Sequence, residues 1–502
     1  MTQQTAPPEQ TTPPEQTEDA MGHRDVDVVV IGSGAAGLSA ALSARALGAQ
    51  RVLVAEAEGV VGGSSRLSGG LIMGAGTRYQ RAQGIHDDAA SLYHDYLQLN
   101  RWDVDAAVVR RFTEMAGPTV EWLGDLGVEF HEQLVFGGDE RVPRVHVPVG
   151  RGQGIIDVLH GRCREAEIDI ALGRRVDRLL VDGGRVAGGR VAGVAVGDDE
   201  IRSAAVVIAS GGFGNSAERL AEHFPSAAAT GEAWYIGAEG SRGDALGLAE
   251  QVEAQTTGHD RGLRLLHTGI DRIYEAYIPG WLVLVDANGR RFCDETAPYG
   301  MMDHLMRMHG DRAHGHRAWA ICDHATLVAA TSSGVARYKQ TIPGSSKRQS
   351  PHWTTDGIEL MLTAGRAKRA STIEDLAFTL DIDAAVLRGT IDRYNAGADA
   401  HDDAEFAKDQ KFLEPVSEAP FYAVEMRPST VCFTAFGLRI DRDAHVLSLA
   451  SQPIPGLFAA GECTGGVVGA QYVGSGNSYA NITVFGRIAG GAAASFANRT
   501  HR

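Results

Sequence analysis

The stretch DVDVVVIGSGAAGLSAALSARALGAQ opens on an apolar run, Val28 to Ile31, the pattern of a parallel strand buried on both faces. Glycines end the run, and an alanine-rich segment follows that predicts a helix. A second apolar run, RVLVAE, closes on Glu56. Residues 170–200 alternate apolar and polar positions around glycine turns, which predicts short strands. A tandem GRVAG at 184–188 and 189–193 reads there as a lengthened hairpin turn. Far along the chain, GAQYVGSGNSYANITVFGRIAGG (469–491) sets glycine, serine and a lone Tyr472 in a short loop ahead of a small-residue helix.

Gly32, Gly34 and Gly37 stand in the spacing G-x-G-x-x-G between the first strand and its helix. The first glycine permits the tight turn, and the second lets the backbone approach a pyrophosphate at the helix N-terminus. The third allows close helix–strand packing, and Glu56, ending the second strand, suits ribose hydroxyls. Strand, helix, second strand and acid are all present, so a dinucleotide binds here.

Composition narrows the class. The chain has 502 residues, 44% of them hydrophobic and 22% charged, so more than one packed unit is expected. It has 62 glycines, above the usual share of about 7%, which fits many turns and close ligand contacts. A net charge of −16 argues against nucleic acid or an anionic membrane as partner. Five scattered cysteines with no CxxC exclude a disulfide framework, c-type haem or a zinc ribbon, and read as free thiols. No run reaches the roughly 18–20 apolar residues of a membrane span. Residues 1–22, rich in Pro, Gln, Thr and Glu, read as a disordered tail without signal-peptide character, and Met21 is an alternative start. A cytoplasmic location is expected.

After Glu56 comes AEGVVGGSSRLSGGLIMGAG, which resembles the flavoprotein family of fumarate reductase and succinate dehydrogenase flavoprotein subunits and 3-ketosteroid dehydrogenases. The stretches AAVVIASGGFGNS (204–216) and GLFAAGECTGG (456–466) resemble two further motifs of that family, in the same order. The resemblance implies FAD. It assigns to the cofactor Gly32, Ser33, Gly34, Ala35, Ala36, Gly37, Glu56 and Ala57 from the first block, and Gly63, Ser64, Ser65, Ser68, Gly69 and Gly70 from the second. Val176, Ala209, Gly211, Gly212, Gly461, Asn477 and Ser478 join them, with Glu462 on ribityl-side hydroxyls. Asp244, in GAEGSRGDALGLAE, resembles a G-D-G turn facing the flavin and also suits a helix N-cap. Members with covalent flavin use a histidine near the second loop; residues 59–77 contain none, so non-covalent FAD is expected.

The implied fold class is α/β: a Rossmann-like FAD-binding domain, discontinuous over 23–277 and 434–502, with an inserted α+β substrate domain over 278–433. Two substrate classes remain to be weighed. Dicarboxylates need cations, and relatives handling them carry an arginine in the final loop and a histidine before a T-x-G-G segment. Here the loop reads AQYVGSGNS, the segment reads CFTAFGLRID with Phe436 at a glycine position, and Arg427 and Arg439 beside it suit surface ion pairs. Ketosteroids need a group that polarises a carbonyl, a base for the adjacent C–H, and flavin N5 as hydride acceptor.

In 3-ketosteroid 1-dehydrogenases the last loop reads Y-P-G-P-G. Here YVGSG puts Tyr472 and Gly476 on the positions that hold the ketone oxygen. GRRFCDETAPY resembles the family's GRRFxNExxPY, with Tyr299 on the proton acceptor and Glu295 on its acid. Val473 and Ser475 replace both prolines, a serine resembling 4-dehydrogenases, so the ring position stays open. His146 reads as an exposed loop histidine, facing the flavin being the alternative. The reading is an FAD-dependent enzyme acting on CH–CH beside a ketone of a small hydrophobic substrate, a steroid first, with a separate electron acceptor. Its alternatives are a reductase of an unsaturated acid or non-steroid enone, and a non-catalytic flavin redox protein.

Overall fold

The computed structural model describes residues 25–138, 140–183, 189–270, 274–275, 277–332, 352–469 and 471–500. The expected tail 1–22 and the first GRVAG copy (184–188) lie outside the described residues.

Four consecutive buried aliphatic residues make Val26–Ile31 (β1) a central strand. It runs parallel to Val52–Ala55 (β2) on one side and to Asp199–Ile208 on the other. Among the described residues the sheet has eight strands. Its path runs from His445–Leu447 through Pro453–Ala459, Asp199–Ile208, β1 and β2 to Asp169–Ala171. All neighbours on this path are parallel except the first pair, so the strand ends point one way, toward the flavin motifs. This is the Rossmann-like α/β arrangement expected.

The alanines of Ala35–Ala46 (α1) have a packing reason. The helix Asn477–Thr500 lies against it so closely that a Cβ at Gly486 would sit 2.3 Å from the Ala36 carbonyl oxygen. A Cβ at Gly490 would sit 2.0 Å from that of Ala40. Small residues on both helices bring the backbones together and bury the seam.

A second sheet is built around the long strand Phe421–Thr434. Among the described residues it has seven strands, including Gly262–His267, Ala318–Asp323 and Val283–Val285. Trp234–Tyr235 and Gly262–His267 precede residue 278, so this sheet draws on chain outside the 278–433 segment. Its central strand ends at Thr434, whose N–H and hydroxyl donate to Glu462 Oε1 at 2.9 and 3.0 Å, just beyond the parallel strand Pro453–Ala459. The two sheets therefore meet at that carboxyl group.

His146 corrects an expectation. It is fully buried on the strand Val145–His146, paired with Ile72–Met73, and lies 2.9 Å from the Thr77 hydroxyl with edge contacts to Tyr79 and Phe130. A histidine in PRVHVP, a short stretch between two prolines, suits surface loop, but pairing to Ile72 carries it inward. Burial lowers its pKa from 6.5 to about 4, against the backbone carbonyls of Ile72 and Arg144. A depressed pKa means the contribution is complete above 6.5 and is lost as pH falls through about 4. Unfolding free energy should drop by roughly 3 kcal/mol across that window from this group alone. Denaturant titrations of wild type and His146→Asn check this, and an equal pH slope in both would contradict it.

Candidate active site

A single cavity of about 560 Å³ runs between the two sheets. At one end it is lined by backbone and small polar groups: Gly32, Ser33, Gly34 and Ala36, then Glu56 and Ala57, then Gly63, Ser64, Ser65, Ser68, Gly69 and Gly70. Val176, Ala209, Gly211, Asp244, Gly461, Glu462 and Ser478 also line it. Most of the residues expected to hold the cofactor thus converge from distant parts of the chain. Ala35, Gly37, Gly212 and Asn477 lie outside the lining, each for a visible reason. The Ala35 N–H donates to Ser65 Oγ at 3.1 Å, fixing the second glycine loop over the start of α1. A Cβ on Gly37 would sit 1.9 Å from the Gly32 carbonyl, and one on Gly212 would sit 2.2 Å from Glu462 Oε1. The Asn477 amide is turned to the Tyr96 hydroxyl, at 3.1–3.2 Å.

The three motif glycines do different work. Gly32 has φ +103° and a Cβ there would meet the Ala209 carbonyl at 2.4 Å, so it makes the turn under the neighbouring strand. Gly34 has ordinary extended φ, and a Cβ would touch nothing closer than Ser65 Oγ at 3.5 Å. Its open side faces the cavity at the N-terminus of α1, where a phosphate fits. Glu56 accepts from Ser33 N–H at 2.8 Å and Ser33 Oγ at 2.5 Å, holding that turn.

Asp244 does not cap its helix. Gly243 occupies the cap position, and the Asp244 carboxylate, raised in pKa by burial, pairs with Arg175 beside the cavity. Burial likewise raises Glu462 to about 7, opposed by the Thr434 hydrogen bonds. Sequence reading passed over Glu58, Ser210, Ser241 and Thr434, which also line this end. Tyr235 was missed too: its hydroxyl joins Ser64 Oγ at 3.0 Å and Ser241 Oγ at 3.3 Å. Ser210, Ser241 and Thr434 lie inside stretches the sequence singled out but were not assigned there, and Tyr235 and Thr434 are brought in by the second sheet.

The other end is apolar and phenolic, with Ile236, Leu263, Leu265, Cys432, Phe433 and Val468 around Tyr277, Tyr299 and Tyr472. Tyr299 opens the helix Tyr299–His309, and its hydroxyl lies 2.8 Å from Ser475 Oγ. Its ring packs edge-on against Tyr277 and tilted against Tyr472, with centroids 5.5 and 5.9 Å away. Burial pushes the Tyr299 phenol well above its ordinary value, and Tyr472 up to about 12. The Tyr472 oxygen accepts from the N–H and Oγ of Ser478, both at 3.3 Å. Gly476, φ +85°, completes the loop against Ile72 and Met73, where a Cβ would clash at 2.7 Å.

Buried ion pairs hold Tyr299 in place. Asp303, one turn along its helix, binds Arg264 Nε at 2.9 Å across to the strand Gly262–His267. Glu295 lies in the core, not in the cavity, gripped by Arg291 at 2.9 Å on both oxygens and by Lys408 at 3.0 Å. Burial alone would raise Glu295, but Lys408 and Arg291 outweigh it and the net shift is downward. Arg427 pairs with Glu425 at 2.8 Å, and Arg439 reaches Gln255 and Asp105; neither lines the cavity. The lining arginines are Arg151 and Arg174. Among the described residues no histidine lines it, and no helix is long and apolar enough to cross a membrane.

A glycine-turn cradle at a helix N-terminus, joined to an apolar, phenolic cavity, is the arrangement of an FAD-dependent oxidoreductase. The FAD binding domain family matches residues 27–479, and the chain belongs to that family, as a relative of the fumarate reductases. Fumarate reductase (cytochrome) of Shewanella frigidimarina is 30% identical over 95% of this chain and 78% of its own length. Urocanate reductase of Eggerthella lenta is 29% identical over 94% of this chain and 75% of its own. Among solved structures, the 3-ketosteroid-Δ4-(5α)-dehydrogenase of Rhodococcus jostii RHA1, in complex with 4-androstene-3,17-dione, matches with a TM-score of 0.75 and 25% identity. That match covers 95% of this chain and 99% of the dehydrogenase.

Proposed function

We propose that the chain oxidises, or in reverse reduces, a carbon–carbon bond next to a ketone, with 3-ketosteroids as the leading substrate class and a separate electron carrier closing the cycle. One observation carries this reading: two phenols converge in an apolar chamber while Arg427 and Arg439 are paired elsewhere. A dicarboxylate needs guanidinium groups in charge-assisted contact, whereas a ketone needs neutral donors that cost less to bury.

When bound, FAD supplies the hydride acceptor or donor. The residues do the rest. Ser478 donates to the Tyr472 oxygen, so the phenol's own proton is the one left for a carbonyl oxygen. Developing enolate charge strengthens that bond, and the Gly476 N–H is assigned as the second donor. Tyr299 stays a neutral phenol at ordinary pH because burial disfavours its anion. To accept a proton from carbon it hands its own to Ser475 Oγ, 2.8 Å away, as Ser475 gives up its hydroxyl proton to solvent; in the reducing direction Tyr299 donates to carbon and the same relay, run backwards, refills it.

Reduction of a non-steroid enone or unsaturated acid is the second reading, favoured by that neutral phenol and by the reductases among the relatives. Anaerobic mixing separates the two. Under the leading reading, a saturated 3-ketosteroid bleaches the oxidised flavin and yields the desaturated product by mass. Should ketosteroids leave the flavin oxidised while fumarate or urocanate reoxidises the reduced enzyme, the second reading replaces the first.

A further inference from the structure

Away from the flavin chamber, α1 and the helices Ala106–Leu126, Arg151–Glu165 and Asn477–Thr500 border a second, solvent-open cavity of about 960 Å³. Five arginines and two carboxylates line it, a local excess of positive charge in a protein of net charge −16. Two of the arginines are occupied in joining helices. Arg162 pairs with Glu165 at 2.6 Å, and Arg45 donates to the carbonyls of Ala49 and Ala166.

Two others are not neutralised. Among the described residues, Arg487 has as its partners the uncharged Thr119 hydroxyl at 2.8 Å and the face of Trp122 at 4.7 Å. The Nε of Arg111 is buried with no hydrogen-bond partner. Buried guanidinium donors normally find acceptors, because leaving one unpaired forfeits its hydration with no return. The rest of the wall is apolar: Trp122, Met115 and Leu126 pack on the core yet remain partly open to the cavity. Guanidinium groups beside an aromatic and aliphatic floor suit a ligand with one anionic end and an apolar body.

We propose that this cavity binds an anionic amphiphile, its carboxylate or phosphate held by Arg111 and Arg487 and its apolar body lying on Trp122, Met115 and Leu126. The site is separate from the flavin chamber, although Ser478 and Ile482 of the Arg487 helix line that chamber.

Calorimetric titration of the FAD-loaded enzyme tests this, using dodecanoate and dodecyl phosphate below their micelle concentrations. Dodecanol serves as the uncharged control and acetate as the head group alone. One anion per chain should bind, with dodecanol and acetate weaker by about tenfold or more. The two head groups tell a carboxylate site from a phosphate site. Arg111→Gln with Arg487→Gln should weaken the preferred anion by on the order of tenfold, Arg487→Lys should weaken it less because the charge is kept while the planar fork over Trp122 is lost, and flavin content should stay constant throughout. Dodecanol binding as tightly as both anions to the wild-type enzyme would overturn the proposal, whatever the variants do. So would undiminished binding in the double variant, or an anion that binds only by perturbing the flavin spectrum.

Discussion

Flavin reduction by a 3-ketosteroid is expected to slow on the order of 10²-fold or more in Tyr299→Phe, with ketone binding largely kept, because the proton loses its carrier. Tyr472→Phe should behave differently. It removes a donor to the developing enolate, a loss of about 3 kcal/mol in the transition state, roughly 10²-fold in rate. Ketone affinity should weaken as well, since the same phenol meets the ground-state oxygen. Neither substitution deletes packing: the Tyr299 ring still rests on Tyr277 and Tyr472, and the Tyr472 ring on Phe433, 5.2 Å away. Melting temperature and flavin content should therefore barely move. Stopped-flow reduction of both variants measures this. Wild-type rates in both would end the two-phenol mechanism, and loss of activity in Arg427→Ala or Arg439→Ala alone would restore the carboxylate reading.

Gly34→Val should give a folded protein without flavin. The backbone at Gly34 is extended and a new Cβ would find no protein atom nearer than 3.5 Å, so the chain tolerates the side chain. Its methyl groups would instead fill the space that a pyrophosphate would occupy at the α1 N-terminus. Gly32 and Gly37 give the contrast within the same motif. There a Cβ collides with backbone carbonyls at 2.4 and 1.9 Å, and Gly32 also has positive φ, so alanine at either should destabilise the fold itself. Flavin absorbance per mole together with thermal melts distinguishes the cases. A Gly34→Val protein with full flavin content would refute the cradle.

What could be read in the chain follows from how local each signal was. The first cradle announces itself because turn, helix start and terminal acid fall within residues 28–56, each with its own residue preference. The apolar phenolic end was reached through Tyr299 and Tyr472, which resemblance to a family picked out. Ser241 and Thr434 stand in stretches that resemblance picked out without assigning them, and Tyr235 stands outside them, since their place depends on how the strand Phe421–Thr434 docks beside Glu462. His146 was misjudged for the same reason: two residues of strand have no periodicity to read, and burial came from a partner at Ile72. Asp244 had an acceptable cap sequence, but the preceding glycine took the cap and Arg175 took the carboxylate.

The interlocked helix Asn477–Thr500 has a consequence for how the protein is made. Ribosomes deliver chain from the N-terminus onward, so the cradle of residues 28–70 is exposed first, with one wall missing. The strand Pro453–Ala459 that completes the parallel sheet, and Gly461, Glu462, Tyr472 and Ser478, which close the chamber, emerge only after the whole second sheet has been synthesised. Until then α1 presents its alanine seam to solvent where Gly486 and Gly490 will later sit. Cofactor capture is consequently expected late in biogenesis, and a nascent chain stalled before Pro453 should carry the nucleotide motif without retaining the nucleotide.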